Sequence, residues 1–115
     1  MKQLFSPVIG VDQGEVVLFS DFANGGEMWA GEGPRSVQSE VAFSQPFREP
    51  PVVQANLSMW DIAGGKNARI DLSAVNVTRD GFTLLLKTWE DTKIARVRAG
   101  WIAIGSLFDE DGWDV

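Results

Sequence analysis

The chain alternates apolar and polar residues over most of its length. In residues 51–62, Val53, Ala55, Leu57 and Met59 share one parity, and Gln54, Asn56, Ser58 and Trp60 share the other. This is the period of a strand with one face on a core, and it leaves Trp60 on the polar side. Residues 68–74 repeat the pattern, with Ile70, Leu72 and Ala74 opposed to Arg69, Asp71 and Ser73, so Arg69 is turned from the core. The Gly-rich connection 63–67 has hairpin length and predicts an antiparallel pair.

Arg79-Asp80-Gly81 predicts the next turn, because Asp-Gly tolerates the positive φ of a tight hairpin. Beyond it, Phe82, Leu84 and Leu86 take the inward parity, whereas Thr83, Leu85, Lys87 and Trp89 face outward. Residues 93–105 read as a final strand, with Val97, Ala99, Trp101 and Ala103 on one face. Ile94, Ile102 and Ile104 lie on the other, beside Arg96 and Arg98. A strand apolar on both sides needs two apolar partners, one of which a neighbouring copy of the chain can supply. Upstream, residues 15–22 and 39–43 have strand character, and Pro46, Pro50 and Pro51 mark edges or loops. No stretch carries three amphipathic helical turns. Six strands joined by Gly, Pro and Asp turns predict an all-β, antiparallel six-stranded sandwich. Residues 1–27 are expected to contribute a strand, 28–105 to form the sandwich, and 106–115 to be an acidic tail.

The 115 residues suit one domain. Cys, His and Tyr are all absent, which excludes disulfides, thiol nucleophiles, thiolate metal sites, Ser-His-Asp triads and imidazole bases. No cofactor or metal is expected. The formal charge of −6 disfavours nucleic acid and anionic membrane surfaces. Asp109, Glu110, Asp111 and Asp114 carry part of it, and without them the body is only mildly acidic. No apolar run approaches the ~20 residues of a membrane helix. The N-terminus lacks the apolar stretch of a secretory signal, consistent with a cytoplasmic protein or one released by another route.

The sharpest chemistry lies in Thr88-Trp89-Glu90-Asp91-Thr92 together with Arg69. An outward aromatic ring can pack on the apolar C–H face of a galactose-type sugar. Forked guanidinium donors and carboxylate acceptors then take its hydroxyls. Alternatively, a bulge reverses the parity, Trp89 belongs to the core, and Arg69 and Glu90 are solvated charges.

Several segments together resemble the H-type lectin domain, the family of the snail agglutinins and of the C-terminal domain of the slime-mould discoidins. They are Val41-Ala42-Phe43-Ser44-Gln45-Pro46-Phe47, Pro50-Pro51-Val52-Val53, Trp60-Asp61, Asn67-Ala68-Arg69, Asn76-Val77-Thr78 with Gly81-Phe82, Thr88 to Thr92, and Trp101-Ile102-Ala103-Ile104-Gly105. The match runs from about Met28 to Gly105. The resemblance implies a homotrimer, which can pair further into a dimer of trimers, with clefts for galactose or N-acetylgalactosamine between neighbouring copies. It places the family's site arginine at Arg69 and its stacking tryptophan at Trp89, and its small acidic loop falls on Gly31-Glu32, making Glu32 a site residue. Glu90 stands where the snail proteins have a histidine, exchanging a donor for a charged acceptor, and Ala95 replaces an aromatic contact.

The expected function is therefore non-enzymatic, metal-free recognition of galactose-type glycans through Trp89, Arg69, Glu90 and Glu32. The alternative is a structural module, a trimeric knob or adaptor of a larger particle with a vestigial cleft. Other motifs carry less. Asn56-Leu57-Ser58 and Asn76-Val77-Thr78 match glycosylation acceptors by coincidence, and the Gly-rich stretch around Met28-Trp29 is a shaped surface loop. Asp109-Glu110-Asp111 lacks the spacing of a calcium loop. Arg96 and Arg98 are expected to pair with Asp71 or with carboxylates of another copy. Glu32, Glu90 and Asp91 would need a defined separation to act as a glycosidase pair, which the sequence does not establish.

Overall fold

The computed structural model describes residues 1–5 and 7–108. Among them six strands form: β1 (Ile9–Ser20), β2 (Arg35–Ala42), β3 (Val52–Ile62), β4 (Asp71–Val75), β5 (Gly81–Thr88) and β6 (Ile94–Ser106). A four-residue helix, α1 (Glu27–Ala30), lies between β1 and β2. Two three-stranded sheets result, in orders β1-β6-β3 and β2-β5-β4, with every pairing antiparallel. The period-two reading and the all-β antiparallel fold agree with this architecture. The tail residues 109–115 lie outside the described residues.

The inner faces meet in two apolar clusters. Phe43, Phe47, Phe82, Leu84, Ala99 and Ala103 form one, and Met28, Leu86, Ile94 and Val97 form the other. Leu84, Leu86, Ile94 and Val97 have no exposed surface, and each such side chain contributes about 1.5–3 kcal/mol relative to exposure. Phe43 and Phe82 flank Trp101 at 5.9 and 5.4 Å between ring centroids. At Gly81, which opens β5, the backbone comes so close to β2 that a Cβ would stand 2.1 Å from the Val41 carbonyl oxygen. Only glycine fits that approach.

Several sequence expectations need correction. Strands β3 and β4 do not form a hairpin. β3 pairs with β6 and β4 with β5, so residues 63–70 carry the chain from one sheet to the other. Ile62 and Ile70, at the two ends of this connection, both pack on the second cluster, which holds it across the sandwich. Arg69 consequently lies in the connection and not on a strand. Ile94 is not on the outer face. Between the Asp61–Arg96 and Ile62–Ile94 pairs an extra residue, Ala95, enters β6 and turns Ile94 into the core. A similar irregularity between Leu57 and Met59 sets Trp60 opposite Val97, yet its ring remains 58% exposed. Arg96 and Arg98 pair with Asp61 (3.4 Å) and Glu15 (3.3 Å), not with Asp71.

Candidate functional site

Strand β5 delivers the site at its C-terminal end. The parity that buries Phe82, Leu84 and Leu86 also buries Thr88, whose Oγ1 donates to the Arg69 carbonyl oxygen at 2.5 Å. The next residue, Trp89, therefore faces outward and is 41% exposed, as its parity predicted. Its ring lines an open cleft of about 370 Å³ shared with Pro34, Arg35, Ser36, Lys87 and Thr88. The chain then reverses. Glu90 adopts φ 57°, a left-handed conformation that costs a non-glycine residue about 1–2 kcal/mol. Such strain persists only where surrounding contacts hold it.

Those contacts come chiefly from Arg35, which opens β2 and is 5% exposed. Its Nε donates to the Gly33 carbonyl (2.9 Å), Nη1 to that of Met28 (3.1 Å), and Nη2 to those of Glu90 (3.2 Å) and Thr92 (2.7 Å). A guanidinium has five rigidly placed donors, so one buried side chain fastens α1, the loop after it and the 89–92 turn to one another. Sequence reasoning missed Arg35. The available signal was a charge on the inward parity of Val37, Ser39 and Val41.

The 63–70 connection supplies the second anchor. Arg69 Nη1 donates to Asp91 Oδ1 at 2.8 Å and to Thr92 Oγ1 at 3.2 Å. Thr92, with no exposed surface, donates its own hydroxyl to the Asn67 carbonyl oxygen at 2.6 Å. Lys66 Nζ stands 3.6 Å from Asp91 Oδ2. The Arg69 hydrogen bond, more than any other influence, holds the Asp91 carboxyl below the ordinary 3.8 of an aspartate. That is the wrong direction for the raised pKa of a glycosidase acid.

Three of the four residues singled out from sequence thus meet at one turn, and of the four only Trp89 lines the cleft. Trp89 and Glu90 lie on it, and Arg69 is tied to it through Thr88, Asp91 and Thr92. Glu32 is exposed one position before Gly33, whose N–H donates to the Glu90 carbonyl at 2.9 Å. The connections run through backbone and through Asp91 and Thr92. Among the described residues, no cluster of three or more acidic side chains is arranged to hold a metal. No helix there is long and apolar enough to cross a membrane.

Residues 38–104 match the family model of the H-type lectin domain. The chain belongs to that family. The matched span holds Arg69, Trp89 and Glu90 but not Glu32 or Arg35. Among curated proteins, ATP synthase subunits region ORF 7 of Fuscovulum blasticum is 51% identical over 107 residues, covering 93% of each chain. A discoidin-1 polypeptide of Dictyostelium discoideum is 34% identical over 74 residues, covering 64% of this chain and 29% of its own. The solved structure of recombinant discoidin II from the same organism superposes with a TM-score of 0.74 at 22% identity. The likeness covers 87% of this chain and 38% of that one, and it shows the shared fold. This H-type lectin domain accordingly carries the architecture of a carbohydrate-binding module, with an exposed indole just after β5 and an arginine anchored to the turn that follows it.

Proposed function

We propose that this H-type lectin domain binds galactose-type sugars, galactose or N-acetylgalactosamine, non-covalently and in clefts completed by neighbouring copies of a homotrimer. The observation that carries this reading is the exposure of Trp89. A large aromatic ring held outward by a buried Thr88 and a fastened turn stays 41% exposed in the single chain, and it offers a flat face for the apolar side of a pyranose. Among the described residues Arg69 makes its two side-chain bonds through Nη1, leaving the Nε and Nη2 donors for ring hydroxyls, while the exposed Glu90 and Glu32 accept from others.

Self-association is supported by the outer face of the β1-β6-β3 sheet. There Val11, Ile104 and Val52 are register partners and 62%, 39% and 52% exposed, forming an apolar row suited to an identical chain. One sugar gives up many water hydrogen bonds for a small apolar contact, so useful affinity comes from three sites acting together.

The test is a glycan array on the wild type and on Trp89→Ala, beside the mass of each in solution. The expected result is galactose-type binding that disappears in the variant while the mass is unchanged. Binding that survives the substitution rejects the site. An array without signal, together with an obligate protein partner, favours the assembly-module reading.

A further inference from the structure

We propose that a second cleft, walled by Phe22 and Trp29, is a separate carbohydrate subsite that takes one neutral pyranose ring. The choice of ligand class rests on the lectin reading above. The location and construction of the cleft do not.

The cleft is built by the segment between β1 and α1. The Asp21 N–H donates to the Ala95 carbonyl at 2.7 Å and fastens the start of this segment to β6. The Asp21 side chain accepts from the Met28 N–H at 3.0 Å, and the Met28 side chain is 1% exposed in the core. Between these anchors the Gly26 N–H donates to the Asp21 carbonyl at 2.9 Å. The turn is so tight that a Cβ on Gly26 would lie 2.3 Å from the Asp21 carboxyl carbon. The segment is therefore held at both ends, yet it turns Phe22 outward, 61% exposed. The Phe22 ring meets the half-buried Trp29 edge-to-face at 4.9 Å and 74°. The pair forms a preorganised aromatic wall, which saves the ordering a mobile site must undergo on binding.

The remaining sides select the ligand. Ile62, Ala63 and Ala95 make an apolar floor, and Asp61, Arg96 and Ser20 line the polar side of a volume of about 390 Å³. That is near the lower end of small-ligand sites, about 300–1,000 Å³, and suits one ring better than a peptide. Asp61 and Arg96 are register partners on β3 and β6, 3.4 Å apart. Their pairing cancels net charge at the cleft while keeping a carboxylate acceptor and guanidinium donors, a balance that favours a neutral polyhydroxylated ligand over an anion or a cation. An aromatic wall for the C–H face with acceptor and donors for the hydroxyls is the chemistry of a sugar ring.

The test is titration of the isotope-labelled full chain with galactose, N-acetylgalactosamine, glucose and mannose. NMR would follow the Trp29 indole N–H and the Ala63 and Arg96 amides separately from the Trp89 indole N–H. At least one sugar is expected to give saturable shifts at Trp29, Ala63 and Arg96. These should persist in Trp89→Ala and weaken at least tenfold in affinity in Phe22→Ser, which removes a ring that is 61% exposed and outside both core clusters. Arg96→Gln, which removes the donor fork but not the aromatic wall, should weaken binding less. Shifts confined to Trp89 would remove the second subsite and leave the function proposed above standing. Shifts at Trp29 that vanish in Trp89→Ala would also overturn it, and silence at both clefts would remove both readings. Shifts at Trp29 without any at Trp89 would uphold this subsite and reject the first.

Discussion

Arg35 reaches Glu90, 55 positions away in sequence, with Nη2 3.2 Å from the Glu90 carbonyl oxygen. The contact ties the first residue of one edge strand to the one non-glycine residue of the 89–92 turn with positive φ. Arg35→Met keeps much of the side-chain volume but takes the guanidinium donors from the Gly33, Met28 and Thr92 carbonyls, while the Glu90 carbonyl keeps the Gly33 N–H. Unpaired buried acceptors cost about 1–3 kcal/mol each, partly relieved by water at this end of the sandwich. A loss of about 2–4 kcal/mol is expected in urea unfolding, together with lost glycan retention. Arg35→Lys should recover only part of it, because an ammonium cannot span four carbonyls. A midpoint unchanged in Arg35→Met would show that the turn holds itself.

Glu90 separates a conformational role from a chemical one. Glycine reaches φ 57° without the Cβ penalty but has more freedom to lose on folding, so Glu90→Gly should leave stability unchanged or raise it by up to about 1 kcal/mol. Glu90→Val, β-branched at a left-handed position, should lower it by more than 1 kcal/mol. If Glu90 accepts a sugar hydroxyl, Glu90→Gly loses glycan binding despite its intact fold. Binding that is retained there would confine the role of Glu90 to the backbone.

How much of this was legible in the sequence follows from where each side chain's partner lies. The extents of β3 and β5 and the inward Phe82, Leu84 and Leu86 read correctly because their own alternation carries the inward face, and the same parity places Trp89 outward. Thr83, read as outward, is 2% exposed, its hydroxyl hydrogen-bonded to Glu40. The first half of β1 was missed because Gly10 and Gly14 supply no inward side chain. Leu107 and Trp101 lie over them instead, within 2.8 and 2.9 Å of where a Cβ would stand. The start of β2 was missed because its inward residue is Arg35, whose acceptors are carbonyls of α1, of the loop after it and of the 89–92 turn. At the site, the residue types were visible, but the anchoring by Arg35, Asp91 and Thr92 depends on contacts between loops far apart in sequence, which no local spacing encodes. Ile94 and the β3–β4 connection were misread for a related reason. One inserted residue, Ala95, and two buried isoleucines, Ile62 and Ile70, decide them.

The Arg69–Asp91 pair makes a prediction about acid. Because the folded state holds the Asp91 carboxyl below 3.8, the unfolded chain binds its proton more readily. The pair's contribution is complete above the ordinary aspartate value and is lost as pH falls through the lower, folded one. Both partners are partly exposed, Asp91 at 50%, so the effect on stability is small. The direct measurement is the Asp91 carboxyl titration by NMR. In Arg69→Gln its midpoint should rise towards 3.8, and the 89–92 turn should lose its distinct amide shifts at neutral pH. A midpoint unchanged by the substitution would mean that Arg69 does not hold Asp91 in solution.

The outer row of Val11, Ile104 and Val52 allows assembly and sugar binding to be separated. Ile104 is the middle member, paired in register with both others and 39% exposed in the single chain. An aspartate there should cost the isolated sandwich little, because its inward neighbours Ala103 and Gly105 still pack as before, but it would bury a charge in any apolar contact between copies. Sedimentation should find the wild type at three times the chain mass and Ile104→Asp at the chain mass, with unchanged far-UV circular dichroism. If clefts are completed by neighbouring copies, the variant should lose soluble monosaccharide binding as well as multivalent retention. If each chain holds its sugar alone, only the multivalent gain disappears, by a factor of about 10² or more. A wild type that sediments as one chain would refute the trimer outright, and the Trp89 cleft would then have to bind with the residues of a single copy.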